Sequence, residues 1–141
     1  MVKWIIIFLF VSALSLISCD SENFTSTVPH VFVNEQIPLQ SAQYKELWNV
    51  GGFVTLDAGY KGIIVYRESS SSYRAFERAC SYDTKADCAI VDIDDSELFL
   101  IDKCCKSTFN FGGIPTGGPA TAPLLEYQTV VDGDFLKIVN E

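Results

Sequence analysis

The chain has 141 residues and carries 10 basic against 18 acidic side chains, which gives a formal net charge of −8. The basic residues do not cluster, so nucleic acid is excluded as a partner, because phosphate binding needs grouped Lys and Arg side chains. The single histidine, His30, excludes a zinc site of two cysteines and two histidines and gives little support to hydrolytic chemistry.

The start of the chain has the order of a bacterial export signal. Lys3 supplies a basic tip, an apolar run fills residues 4–17, and the small residue Ser18 precedes Cys19. A helix of that run would rise about 21 Å, short of the roughly 30 Å hydrocarbon core, so a signal peptide fits better than a spanning helix. Residues 16–19 resemble a lipobox, the signature of bacterial lipoproteins, which implies lipid attachment to Cys19. The alternative is an ordinary signal peptide followed by an unrelated cysteine.

These features divide the chain into three parts. Residues 1–18 are predicted to be a lipoprotein signal peptide, residues 19–28 a lipid-anchored polar tether, and residues 29–141 a single β domain. A domain of about 110 residues is of ordinary size and can bury one core. The predicted location is the bacterial cell envelope, on the periplasmic side or at the cell surface.

Short apolar runs alternate with turn signals through the domain, which favours a small antiparallel sandwich or barrel. Asp132-Gly133 lies between two such runs and predicts a hairpin, since glycine tolerates positive φ. The serine run 69–72 predicts a solvated hairpin tip, and residues 40–48 suit one or two turns of helix. The predicted strands are Val31–Val33, Phe53–Leu56, Gly62–Tyr66, Tyr73–Phe76, Cys88–Ile93, Leu98–Ile101, Leu124–Tyr127 and Phe135–Val139.

Five cysteines are present, and four remain for the domain if Cys19 carries lipid. An even number of cysteines in an exported domain first predicts disulfides. A zinc site of four thiolates is disfavoured because Cys104 and Cys105 are adjacent, and neighbouring side chains of an extended segment point to opposite faces. Such a site would also need a spaced cysteine pair on each side, which the sequence lacks.

From residue 62 onward the order of features resembles the Rieske family, a small β domain that carries a [2Fe–2S] cluster. The most specific part is a Gly-Pro-Ala, Pro-Leu, Tyr series, in which the prolines fix φ and Gly117 and Gly118 permit close backbone approach, so that the loop before them is clamped. The matching blocks are Gly62–Tyr66, Tyr73–Cys80, Ser107–Phe109 and Gly117–Tyr127.

The family holds its cluster with two cysteines on one iron and two histidines on the other. The resemblance places the first cysteine on Cys80 and its histidine on Tyr82, and the second pair on Asp102 and Cys105. Three of the four ligands are therefore replaced. Tyrosine is a poor substitute for imidazole and carboxylate is a harder donor than thiolate, so we expect the fold to have outlived its cluster.

Many Rieske domains carry an extra cysteine in each cluster loop, and these are joined as a disulfide. The resemblance assigns them to Cys88 and Cys104, whose bond would close a loop of roughly sixteen residues and contribute about 3 kcal/mol. Cys80 and Cys105 occupy two emptied ligand positions and are predicted to form a second bond. The alternative pairing is Cys80–Cys104 with Cys88–Cys105.

The sequence therefore predicts a membrane-anchored lipoprotein whose β domain is a non-catalytic binding or structural module. No cofactor and no metal are expected, and no enzymatic activity is predicted. The alternative is an electron-transfer protein, an oxidoreductase component, that binds a [2Fe–2S] cluster through unusual ligands. The expected partners are the membrane, through the N-terminal lipid, and an unknown protein or other component of the envelope.

Overall fold

The computed structural model describes residues 28–140, so the predicted signal peptide, Cys19 and most of the tether lie outside the described residues. Within this range no helix is long and apolar enough to cross a membrane. The described chain has ten strands and one 3-10 helix, Ala42–Trp48. The strands are β1 Asn34–Pro38, β2 Phe53–Leu56, β3 Ile63–Arg67, β4 Tyr73–Glu77, β5 Val91–Ile93, β6 Leu100–Asp102, β7 Thr108–Phe109, β8 Pro115–Gly117, β9 Glu126–Asp132 and β10 Phe135–Val139.

The strands form two antiparallel sheets. The larger has the order β1-β10-β9-β4-β3-β2, and the smaller has the order β5-β6-β7-β8. The expected all-β antiparallel sandwich is confirmed.

Strand β3 separates two apolar clusters. Ile63 and Val65 pack into a cluster with residues of β1 and β10, whereas Ile64 between them packs into a second cluster that includes Val91 of β5 and Leu100 of β6. Successive side chains of a strand point to opposite faces, so both faces of the larger sheet are covered here. This explains why the strand is apolar at consecutive positions, without polar alternation.

The turn predictions are confirmed. Gly133 has a φ of 59° in the connection between β9 and β10. The serine run lies between β3 and β4, where the Ser69 hydroxyl accepts hydrogen bonds from the backbone N–H groups of Ser71 and Ser72. The predicted helical turns are present as the 3-10 helix, which is capped by Ser41 and buries Leu47.

Several strand predictions need correction. Val31–Val33 is not a strand, and the first strand follows it as β1, an edge strand whose first three residues are exposed and polar. Strands β7 and β8 were not predicted, because they have only two and three residues. Strands this short show no periodicity, so their pairing depends on neighbours that are distant in sequence.

Candidate functional site

Two loops meet at one end of the sandwich. The first follows β4 and contains Cys80 and Cys88, and the second connects β6 to β7 and contains Cys104 and Cys105. A disulfide joins Cys88 to Cys104 with a Cα–Cα distance of 5.6 Å, which confirms the first bond that the resemblance implied. Both bonded cysteines are exposed, so the disulfide fastens the two loops together at the surface.

The second predicted bond is wrong for this structure, and so is the alternative pairing. Cys80 and Cys105 are free, with their Sγ atoms 3.7 Å apart, whereas a disulfide has a bond length of about 2.05 Å. Cys104 and Cys105 lie in a turn and not in an extended segment. The turn directs Cys104 to the surface disulfide and Cys105 inward toward Cys80. Because the disulfide uses Cys88 and Cys104, only two of the four thiols needed for a four-thiolate zinc site remain.

The carboxylate of Asp102 organises the second loop. This residue ends β6 and is fully buried. Its Oδ1 accepts a hydrogen bond of 2.7 Å from the backbone N–H of Cys104, and its Oδ2 accepts one of 3.1 Å from the Cys105 thiol. The ligand atoms of Cys80, Asp102 and Cys105 all lie within 4.8 Å of one another, close enough to share one metal ion.

The Gly-Pro segment clamps this loop, as its sequence predicts. Gly118 has a φ of 80°, and a Cβ atom there would lie 2.5 Å from the Ser107 Cα atom. The Ser107 Oγ atom accepts a hydrogen bond of 3.0 Å from the backbone N–H of Ala120 and lies 3.0 Å from Cys105 Sγ. The second loop is therefore held between β6 and the Gly-Pro segment.

Comparison with known proteins shows a likeness of fold to solved structures. No protein-family profile and no curated protein matches the chain. The fold is similar to that of the ferredoxin of carbazole 1,9a-dioxygenase from Nocardioides aromaticivorans IC177, with a TM-score of 0.47 and 22% sequence identity over 66% of this chain and 88% of that chain. This likeness concerns the fold alone, so the chemistry of the site follows from the residues that form it.

The environment of Cys80 favours the protonated thiol. The pKa of Cys80 is raised to about 12, chiefly by burial; the backbone at Tyr82 lowers the pKa, and hydrogen bonding with Asp102 and Cys105 raises it. Because the thiolate is the reactive form of cysteine, this group is a weak nucleophile at neutral pH. The site therefore gives no support to covalent catalysis at Cys80.

The residues at the four positions that the resemblance assigns to cluster ligands do not fit a [2Fe–2S] cluster. Cys80 and Cys105 occupy positions that the family assigns to different irons, yet their sulfur atoms are nearly in van der Waals contact, 3.7 Å apart. In this arrangement the two sulfur atoms lie closer to each other than ligands of two different irons would lie. Tyr82, at the remaining position, is 58% exposed.

Sequence reasoning missed two parts of the site. Ser107 belongs to a block that carries the resemblance, but its polar contacts with Cys105 and Ala120 appear only in the structure. Lys61 donates from Nζ to the carbonyl oxygens of Ala86 and Ala89, at 2.5 and 3.3 Å, and so fixes the first loop. A lone lysine between two strands carries no sequence signal for such a role.

Proposed function

We propose that this protein is a membrane-anchored lipoprotein of the bacterial envelope whose Rieske-like β domain has lost its [2Fe–2S] cluster. In this proposal the domain is a non-catalytic binding or structural module. The observation that carries it is the 3.7 Å contact between the thiols of Cys80 and Cys105 at two former ligand positions. Tyr82 and Asp102, which stand where the resemblance expects a histidine and a cysteine, support the same conclusion.

Iron analysis and a visible absorption spectrum of the purified protein test this proposal. We expect fewer than two irons per chain and no absorption bands of an iron–sulfur cluster. A brown protein with two irons per chain would establish the alternative, an electron-transfer protein with unusual ligands. The grouping of Cys80, Asp102 and Cys105 is the observation that favours that alternative.

The anchor requires a separate test, because it rests on the sequence of residues 16–19 alone. Replacement of Cys19 by Ala should abolish metabolic labelling with a radioactive fatty acid and block normal processing of the precursor. The matched control is Cys105→Ala, which removes a thiol from the domain and should leave labelling unchanged. Labelling that persists in the Cys19→Ala variant would exclude the lipoprotein assignment.

A further inference from the structure

We propose that Cys80, Asp102 and Cys105 bind a single zinc ion. These three residues are separated along the chain and lack the spacing of a zinc motif, so the sequence does not predict this site. The fold brings two thiols and a carboxylate together at the junction of the two loops, with all ligand atoms within 4.8 Å of one another. This proposal is independent of the membrane anchor and is compatible with loss of the cluster.

The distance between the two sulfur atoms suits one tetrahedral ion. Two thiolates bound to zinc at about 2.3 Å lie about 3.8 Å apart at the tetrahedral angle, and the observed Sγ–Sγ distance is 3.7 Å. A thiolate and a carboxylate oxygen on the same ion would lie about 3.6 Å apart, against the observed 3.1 Å between Cys105 Sγ and Asp102 Oδ2. Zinc binding therefore requires Cys105 Sγ and Asp102 Oδ2 to separate by about half an ångström, and the third ligand atom already lies within 4.8 Å of both.

The donor set selects the kind of metal. Two thiolates exclude magnesium and calcium, which take oxygen ligands, whereas zinc accepts cysteine and aspartate together. Each thiol releases its proton to solvent when it binds the ion. Three protein ligands leave one tetrahedral position for water or a donor from a partner. Cys105 is half-buried, so the ion can reach the site from the side on which Cys105 is exposed.

The groups around the ligands are already positioned by the fold. Asp102 Oδ1 accepts a hydrogen bond from the backbone N–H of Cys104, and Oδ2 is directed toward the Cys105 thiol. The Ser107 hydroxyl lies 3.0 Å from Cys105 Sγ and is fixed by the backbone of Ala120. Such outer contacts orient metal ligands and are a regular feature of zinc sites.

Cobalt titration of the full-length chain, purified in detergent without oxygen and freed of metal, tests the proposal. Co²⁺ reports tetrahedral thiolate sites by visible d–d bands and near-ultraviolet charge-transfer bands. We expect one Co²⁺ per chain with both sets of bands, and their loss when Zn²⁺ displaces the cobalt. X-ray absorption at the zinc edge should then show two sulfur ligands at about 2.3 Å. This measurement uses the original chain and needs no substitution.

Variants identify the ligands. Cys80→Ser, Cys105→Ser and Asp102→Asn should each weaken Co²⁺ binding at least about tenfold. Loss of a residue that only supports a metal ligand already weakens metal binding about tenfold or more, so loss of a ligand should weaken it at least as much. The double variant Cys88→Ser with Cys104→Ser retains the proposed ligands and should keep the bands, as should Asp95→Asn, which changes an exposed acidic residue. Far-ultraviolet circular dichroism establishes that each variant is folded.

Three results would overturn the proposal. The first is the absence of thiolate–cobalt bands in the reduced, folded chain. The second is a set of bands that survives in Cys80→Ser and Cys105→Ser. The third is a Cys80–Cys105 disulfide in the anaerobically purified chain, together with no metal uptake. Two irons per chain would refute the proposed function and this site together, whereas an empty site without iron refutes this site alone.

Discussion

The four cysteines of the β domain form two pairs with different chemistry. Cys88 and Cys104 are exposed and bonded, whereas Cys80 is buried and Cys105 half-buried, and both are free. The adjacent residues 104 and 105 separate because they lie in a turn, with Lys106 beyond them at a φ of 65°. A one-residue difference in position thus decides whether a thiol joins the surface disulfide or the buried group.

The surface disulfide should contribute measurably to stability. Its cysteines are 16 residues apart in sequence, and closing such a loop in the unfolded chain is worth about 3 kcal/mol. We expect the Cys88→Ser, Cys104→Ser double variant to lose about that much free energy of unfolding in urea. Reduction is the control: a reducing agent should destabilise the original chain by about as much and leave the double variant unchanged. An equal effect of the reducing agent on both chains would contradict the prediction.

Gly118 should tolerate no side chain. Its positive φ disfavours any L residue by about 1–2 kcal/mol, and a Cβ atom would lie 2.5 Å from the Ser107 Cα atom, which adds an overpacking cost of about 1–3 kcal/mol. The matched control is Gly133, at a φ of 59° with nothing within 4 Å of its Cβ position. Urea unfolding should show that Gly118→Ala lowers the free energy of unfolding more than Gly133→Ala does. Equal losses would refute the close packing of Gly118 against Ser107 as the cause.

At the scale of elements, a buried carboxylate joins β4 to its neighbours. Glu77 is fully buried at the end of β4 and accepts hydrogen bonds from the backbone N–H groups of Tyr60, Lys61 and Ala79 at 2.8, 2.8 and 3.0 Å. The Tyr127 hydroxyl of β9 donates a further bond of 2.7 Å to it. These contacts fix the strand end from which Cys80 enters the site.

The Tyr127 contact predicts a pH-dependent stability. Burial, and then the Glu77 carboxylate, raise the pKa of Tyr127 above its ordinary value. The folded chain therefore retains this proton while the unfolded chain loses it, so the stabilisation from Tyr127 is complete below about pH 10 and declines as the pH rises above that value. Tyr127→Phe should cost about 2 kcal/mol at pH 7, since it removes a hydrogen bond to a charged group.

Urea unfolding of both chains between pH 7 and pH 11 measures this effect. The difference in free energy between the original chain and Tyr127→Phe should shrink above about pH 10. A constant difference across the range would refute the assignment. The control at pH 7 is Tyr82→Phe, which changes a side chain that is 58% exposed and should leave the stability unchanged.

At the scale of the whole molecule, two apolar clusters form the described core. The two apolar clusters contain large, fully buried side chains on either side of β3, among them Ile63, Ile64, Phe76, Leu100 and Phe109. Among the described residues no buried side-chain polar atom lacks a hydrogen-bond partner. The described core is therefore apolar, and the buried polar side-chain atoms are hydrogen-bonded.

We therefore expect the metal-free protein to unfold cooperatively. After removal of all metal, with the Cys88–Cys104 disulfide intact, the far-ultraviolet circular dichroism spectrum should remain that of a β protein. Added Zn²⁺ should raise the melting temperature, because a ligand that binds the folded state stabilises it. Loss of folded structure on metal removal would instead show that a metal ion drives folding.

The sequence by itself determined the features that depend on neighbouring residues. Strands β2 and β10 have the predicted bounds, because alternation and flanking turn residues act over a few positions. The hairpin at Asp132-Gly133 is equally local, since it needs one residue at positive φ. The Cys88–Cys104 bond was implied by the resemblance to the Rieske family, because no local rule of the sequence decides between the possible pairings.

Tertiary structure alone decided the site. Asp102 is an acidic residue at a strand end, and only the fold shows that it is fully buried beside two thiols. The 3.7 Å separation of Cys80 and Cys105 depends on how two loops pack, and spacing along the chain cannot fix a distance between segments 25 residues apart. Local preferences act through a residue and its neighbours, whereas a binding site depends on contacts that exist only after the sheets have packed.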